Sequence, residues 1–279
     1  GTKVYDPWGL GANVYHTFTW RGFHDFGAGA FGDMACHTMN LAFRGLELGG
    51  VSDAECVKIE EKNDIAYPTK SIVKMTYAAR ESKIRKGVKL PAVTLFWYDG
   101  DQQKDGDAKL AALMPQVVGM KQYKGKVPRT GCLIVGTKGI LCSCADYGQQ
   151  AFIALKGEAL AKDVKDHEAC QAIAKRIPRR TDAAAGGMDK SSGAASLSAD
   201  GHYIEFLDAI NGNGPIFCET HSRCYADAEF SVPMLEGILV GTVAQQVPGE
   251  LKWDTATQTF DNSVANTLVK PVIRNGFEF

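Results

Sequence analysis

Residues 54–98 read AECVKIEEKNDIAYPTKSIVKMTYAARESKIRKGVKLPAVTLFWY, and this stretch decides the fold. It contains three runs in which apolar side chains recur at every second position: Ala54 to Glu60, Ser71 to Tyr77 and Val93 to Tyr98. That period belongs to a strand with one covered face. The runs follow one another through turn-like connections with no helical period, so antiparallel pairing is expected. The basic stretch 83–89 (KIRKGVK) and the polar stretch 99–109 (DGDQQKDGDAK) read as solvated loops between strands.

Upstream, FGDMACHTMNLAFRGLEL (31–48) has helical spacing, which predicts a helix from about Ala30 to Leu48 stopped by Gly49-Gly50. Downstream, Cys132 to Val135 and Gly139 to Cys144 flank Thr137-Lys138 as a tight hairpin. Helices are expected at 201–211 and 231–246, the second capped by Ser231 with Pro233 in its first turn. A strand at Leu251 to Asp254 and a helix begun by Asp261 or Asn262 complete the pattern. Residues 1–28 read as an irregular arm and 178–200 as a mobile loop. Helix, then strands, then helices is an α+β order. The expected fold is one domain over 1–279, an open, mostly antiparallel sheet with helices on one face.

Composition narrows function by exclusion. Apolar residues make up 45% and charged residues 23%, as in ordinary globular proteins. A net charge of −1 gives no electrostatic footprint for nucleic acid, and no apolar run reaches the ~20 residues of a spanning helix. The chain opens GTKVYDPWGL, without the pattern of a secretory leader. Eight cysteines are scattered without a C-x-x-C, so zinc-ribbon and thioredoxin spacings are missing and no metal site is expected. Cys142 and Cys144 would share a strand face.

The chemistry concentrates in WRGFHDFGAGAFGDMACHTMN (20–40), where Asp33 and His37 stand four residues apart on one helix face. An acid and an imidazole so placed are a candidate proton-transfer pair. The same spacing also serves a surface helix contact. Gly27-Ala28-Gly29-Ala30-Phe31-Gly32 matches G-x-G-x-x-G, but the residues before it do not make a buried strand. The glycines read instead as a tight turn packed on the helix start. His24 and His16 lie in the arm and are candidates to line a cleft; His202 and His167 read as structural, and His221 sits in a polar loop that could approach the same site.

The 20–40 stretch, Trp97-Tyr98-Asp99-Gly100 and the segment from Ser231 to Phe279 together resemble the Gfo/Idh/MocA oxidoreductases, closest to their exported, sugar-active branch. The resemblance runs from about Asp6 to Phe279 and covers the C-terminal α+β domain only. It implies an NAD(P)-dependent parent acting on a sugar or cyclitol hydroxyl. The Rossmann domain would lie outside this chain, and no NAD or NADP is expected on the chain alone. It implies His37 as the catalytic base, with Asp33 as its neighbour. Trp20, Arg21, His24 and Asn40 would contact substrate, with Asn40 standing where many members carry an aspartate. It further implies a homo-oligomer formed through the free sheet face and, for the exported branch, the bacterial periplasm; a cytoplasmic location stays open. Two other readings remain open beside it: a stand-alone carbohydrate-binding module, and an NAD-dependent glycosidase or lyase.

Overall fold

The computed structural model describes residues 18–100, 104–148, 150–171, 206–212 and 226–270. The expectations for residues 1–17, for the 178–200 loop and for His16, His202 and His221 lie outside them. The chain divides into two compact units: Gly1–Arg80 with Leu90–Val164 and Pro233–Phe279, and Glu81–Lys89 with Lys165–Val232.

A 3-10 turn (Thr19–Gly22) leads to α1 (Gly29–Gly45), followed by β1 (Val51–Glu60), β2 (Lys70–Tyr77), β3 (Arg80–Glu81), β4 (Lys89–Leu90) and β5 (Val93–Asp99). Next come α2 (Lys104–Leu113), α3 (Pro115–Val118), β6 (Cys132–Gly136), β7 (Gly139–Ser143), β8 (Ala151–Leu155), β9 (Lys162–Asp163) and α4 (Glu168–Gln171). The last described elements are α5 (Ala228–Ala244), β10 (Glu250–Asp254), β11 (Thr259–Phe260) and α6 (Ser263–Thr267). The protein is α+β with open antiparallel sheets. The strands divide between two main sheets, ordered β11-β10-β1-β2-β5 and β6-β7-β8-β9, with β3 and β4 as a separate ribbon.

In the first unit, β2 shows why the larger sheet forms. Ser71, Val73, Met75 and Tyr77 are buried on one face, while Ile72, Lys74 and Thr76 point the other way. Two helices cover the buried face. Phe31 of α1 stacks on Trp97 at 4.9 Å between ring centroids, and Phe43 meets Tyr77 edge-on at 6.0 Å. On α5, a Cβ at Gly241 would lie 2.3 Å from Phe31 Cε1 and one at Gly237 would lie 2.7 Å from the Tyr77 hydroxyl, so only glycine admits this approach. Fully burying a side chain such as Phe31 contributes about 1.5–3 kcal/mol.

The opposite face of this sheet carries ion pairs. Lys74 stands between Glu55 on β1 and Phe96 on β5, and its ammonium lies 3.5 Å from the Glu55 carboxylate. Glu60 pairs with Lys58 at 3.1 Å and with Lys70 at 3.8 Å. Ile72, Phe96 and Tyr98 share this face with the ion pairs, so it is mixed where the oligomer expectation had assumed it apolar.

The smaller sheet packs Ile140, Cys142, Phe152 and Ala154 against Met114, Val117 and Ala161. Leu110 joins this core, and it explains α2. The stretch expected as a solvated loop becomes helical from Lys104 because its end has an apolar layer to cover.

Helix α1 does not run on to the expected glycines. Glu47 takes the left-handed conformation (φ 52°), the Leu48 N–H reaches the Phe43 carbonyl at 2.9 Å and the Glu47 N–H reaches that of Arg44 at 3.2 Å. This is a Schellman end, with Leu48 and Phe43 both buried at the accompanying apolar contact. The Arg80 guanidinium closes it by donating to the carbonyls of Glu47 (2.6 Å) and Leu46, and also to those of Ala78 and Pro91. At α5, Asp227 rather than Ser231 caps the helix, accepting from the Phe230 N–H at 2.8 Å, and Pro233 falls inside it.

Within the second unit, the basic loop closes on itself, Ser82 accepting from the Arg85 N–H at 2.9 Å and donating its own to Val88 at 2.8 Å. His167 is buried, and its Nδ1 accepts the Ala169 N–H at 3.1 Å beside α4, the structural role expected of it.

Candidate functional site

The described candidate site residues all belong to the first unit. The segment before α1 is stitched to residues 65–67: the His24 N–H donates to Ile65 (3.0 Å), the Tyr67 N–H donates to Gly22 (2.9 Å), and Phe23 bridges Ala66. This fixes the 3-10 turn beside the start of α1. Arg21 therefore reaches forward to the Asp33 carboxylate in an ion pair, with its guanidinium 4.6 Å from the Phe18 ring.

Each of the three glycines of the fingerprint stands against the chain's own atoms. A Cβ would lie 2.6 Å from Arg21 Cα at Gly27, 2.7 Å from Tyr67 Cγ at Gly29 (φ +70°) and 2.2 Å from the Ala28 Cβ at Gly32. What precedes them is a 3-10 turn, not a strand. The open sides that a pyrophosphate would approach are filled by the chain's own atoms, so these residues do not fit a dinucleotide.

Asp33 and His37 are both exposed on α1, one turn apart. The carboxylate's ion-pair partner is Arg21, and the His37 ring instead meets Tyr147 edge-on at 4.8 Å. Asn40 is half-buried on the following turn. Trp20 keeps 45% of its surface exposed and lies 6.0 Å from Phe26, itself 61% exposed, so two aromatic faces are open to a ligand beside Arg21. His24 turns elsewhere. Its ring packs on Tyr67 at 4.4 Å, Nε2 lies 3.4 Å from the Asn63 carbonyl oxygen, and buried Nδ1 has no hydrogen-bond partner among the described residues.

Sequence reasoning gave no role to two neighbours, Tyr147 and Asp99. Asp99 ends β5 opposite Ser71, on the covered side of the sheet. Burial pushes its carboxyl up to about 6, while the Gly100 N–H, the Trp97 indole and the Arg21 charge pull the other way. Arg21 thus serves one exposed carboxylate directly and one half-buried carboxyl through its field. The available signal was position: Asp99 shares a strand face with Trp97 and precedes a left-handed glycine, Gly100 (φ 75°).

A recess of about 250 Å³ lined by Lys252, Trp253, Asp254, Thr259, Phe260 and Asp261 shares no residue with this cluster. Among the described residues, no group of three or more His, Cys, Asp or Glu side chains is placed to hold a metal ion, and no helix is long and apolar enough to cross a membrane. No protein-family model matches the chain, and no curated protein matches it significantly.

Proposed function

We propose that this chain is the substrate-binding half of an NAD(P)-dependent oxidoreductase acting on a sugar or cyclitol hydroxyl. The observation that carries the reading is the exposed face of α1, where His37 stands one turn from an Asp33–Arg21 pair beside the open faces of Trp20 and Phe26. Aromatic faces stack on sugar C–H groups, and a guanidinium held in place by a carboxylate donates to hydroxyls. His37 then takes the proton of the reacting hydroxyl, and Tyr147 limits the swing of its ring. Asn40 offers a hydrogen bond without charge. His24 is left out of the substrate contacts, because its ring is committed to Tyr67 and Asn63.

The fingerprint glycines make no dinucleotide cradle, so a Rossmann-type partner domain supplies NAD or NADP in this reading. The steps assigned to the chain are binding and proton transfer only. Self-association through the free sheet face goes with it, held by exposed Phe96 and by matched charges rather than by apolar burial alone. A carbohydrate-binding module without redox chemistry is the second reading, favoured by the same exposed aromatic pair. A glycosidase or lyase of the same family would use the same base.

The experiment is His37→Ala, assayed in a polypeptide that also carries the dinucleotide domain. The expected loss in kcat is roughly 10²–10⁴-fold, with a smaller change in KM. Full turnover by the variant would remove His37 from the chemistry.

A further inference from the structure

Cys142 lies in β7 and Cys144 just beyond its last residue, so the two thiols share one face of the chain. Their Sγ atoms are 3.1 Å apart. Cys142 is buried opposite Phe152 of β8 and Leu133 of β6, whereas Cys144 is half-buried and reachable. The Cys144 N–H donates to the Gln150 carbonyl at 2.8 Å, which holds the pair in register. Tyr123 lies edge-on to Phe152 at 6.3 Å, and its hydroxyl favours the Cys144 thiolate. Cys36 and Cys56, by contrast, hydrogen-bond backbone carbonyls, those of Asp33 and Lys58, each at 3.3 Å.

We propose that Cys142 and Cys144 form a redox-active dithiol that exchanges with low-molecular-weight disulfides, with Cys144 as the attacking sulfur and Cys142 as the resolving one. The hydrogen bond from Cys142 holds the Cys144 thiol below its ordinary value, with Tyr123 helping and partial burial opposing. The same bond, reinforced by burial, pushes Cys142 up. Thiolate therefore gathers on the reachable sulfur, as it does in reactive thiol pairs generally.

In the first step the Cys144 thiolate attacks one sulfur of a disulfide RSSR. A Cys144–SR bond forms, the RS–SR bond breaks and RS⁻ leaves. In the second, Cys142 gives its proton to that RS⁻ and attacks Cys144 Sγ, releasing the second RS⁻, which takes a proton from water. The protein loses two electrons and gains one S–S bond, and RSSR is reduced to two thiols. Two residues of extended chain span about 6.6–6.8 Å, at the wide end of the Cα separations a disulfide bridges. The Sγ atoms already stand 3.1 Å apart, so forming the bond asks them to close by only about 1 Å. The proposal stands independently of the oxidoreductase reading.

The test treats the chain with oxidised glutathione, blocks remaining thiols with N-ethylmaleimide and maps the digest by mass. The peptide holding both cysteines should be two hydrogens lighter and unblocked, and should take two blocking groups after dithiothreitol. Cys142→Ser should stop at a glutathione adduct on Cys144, and Cys144→Ser should leave Cys142 unmodified. In the untreated wild-type chain, alkylation of Cys144 should reach half its maximum at least about one pH unit below Cys36 and Cys56, which burial raises. A doubly blocked wild-type peptide, an adduct on Cys142, or a Cys144 that titrates with Cys36 would each overturn the proposal. The wild-type measurements decide it even where a variant does not fold.

Discussion

Replacing Asp99 with asparagine should stabilise the protein at neutral pH and change little in acid. The carboxyl's ordinary value is 3.8, and burial at the end of β5 raises it to about 6. A carboxyl that holds its proton more tightly in the folded than in the unfolded chain favours folding while protonated and opposes it once ionised. Over the window from 3.8 to about 6 the folded state carries more protons, so stability falls as pH rises through it and stays low above it. Two units at about 1.4 kcal/mol each set a ceiling near 3 kcal/mol. Asparagine also gives up part of what the Gly100 N–H, the Trp97 indole and Arg21 offer the carboxylate, so the expected net gain is about 1–2 kcal/mol at pH 8. Urea unfolding of parent and variant at about pH 4, 5, 6 and 8 measures this directly. A variant less stable than the parent at pH 8, or a difference equal at both ends of the series, would refute the reasoning.

Arg80→Met removes four donations to carbonyls around the end of α1 and should cost about 2–4 kcal/mol by chemical denaturation; a loss below 0.5 kcal/mol would mean that water replaces them freely. Gly241→Ala forces a Cβ into the Phe31 ring, an overpacking worth about 1–3 kcal/mol against about 1 regained in helix propensity, so a lower melting temperature is expected and a higher one would contradict the α5 packing. Light scattering should show self-association that weakens in high salt, since the free sheet face carries ion pairs; a dimer unchanged by salt would point to an apolar interface elsewhere.

What could be read in advance was local. SIVKMTY alternates in sequence, and Ser71 to Tyr77 alternate in burial without a break. The hairpin at Thr137-Lys138 pairs Gly136 with Gly139 as its turn requires, and Asn262 caps α6 by accepting from Val264 and Ala265. What could not be read depends on partners distant in sequence. The end of α1 is a left-handed turn at Glu47 closed by Arg80, which lies far beyond the glycines expected to stop the helix. Helix α2 forms because Leu110 finds an apolar layer. The division into two sheets depends on β8 (AFIAL), whose five residues have too little pattern to assign. At the site, α1 and the Asp33–His37 spacing were legible. That Asp33 would pair with Arg21 depended on how the turn at Thr19–Gly22 is stitched to residues 65–67, that His37 would face Tyr147 on the loop after β7, and that Asp99 would sit half-buried on the pairing of β5 with β2.

The central claim, that the chain binds a sugar-like hydroxyl compound at the exposed face of α1 and leaves the dinucleotide to another domain, is tested by calorimetric titration. The chain is titrated with a panel of sugars and cyclitols and with NAD(H) and NADP(H), alongside Trp20→Ala and Arg21→Ala. At least one sugar or cyclitol should bind, both substitutions should weaken it by about tenfold or more, and neither dinucleotide should bind. Micromolar binding of a dinucleotide, or sugar binding untouched by both substitutions, would contradict the claim.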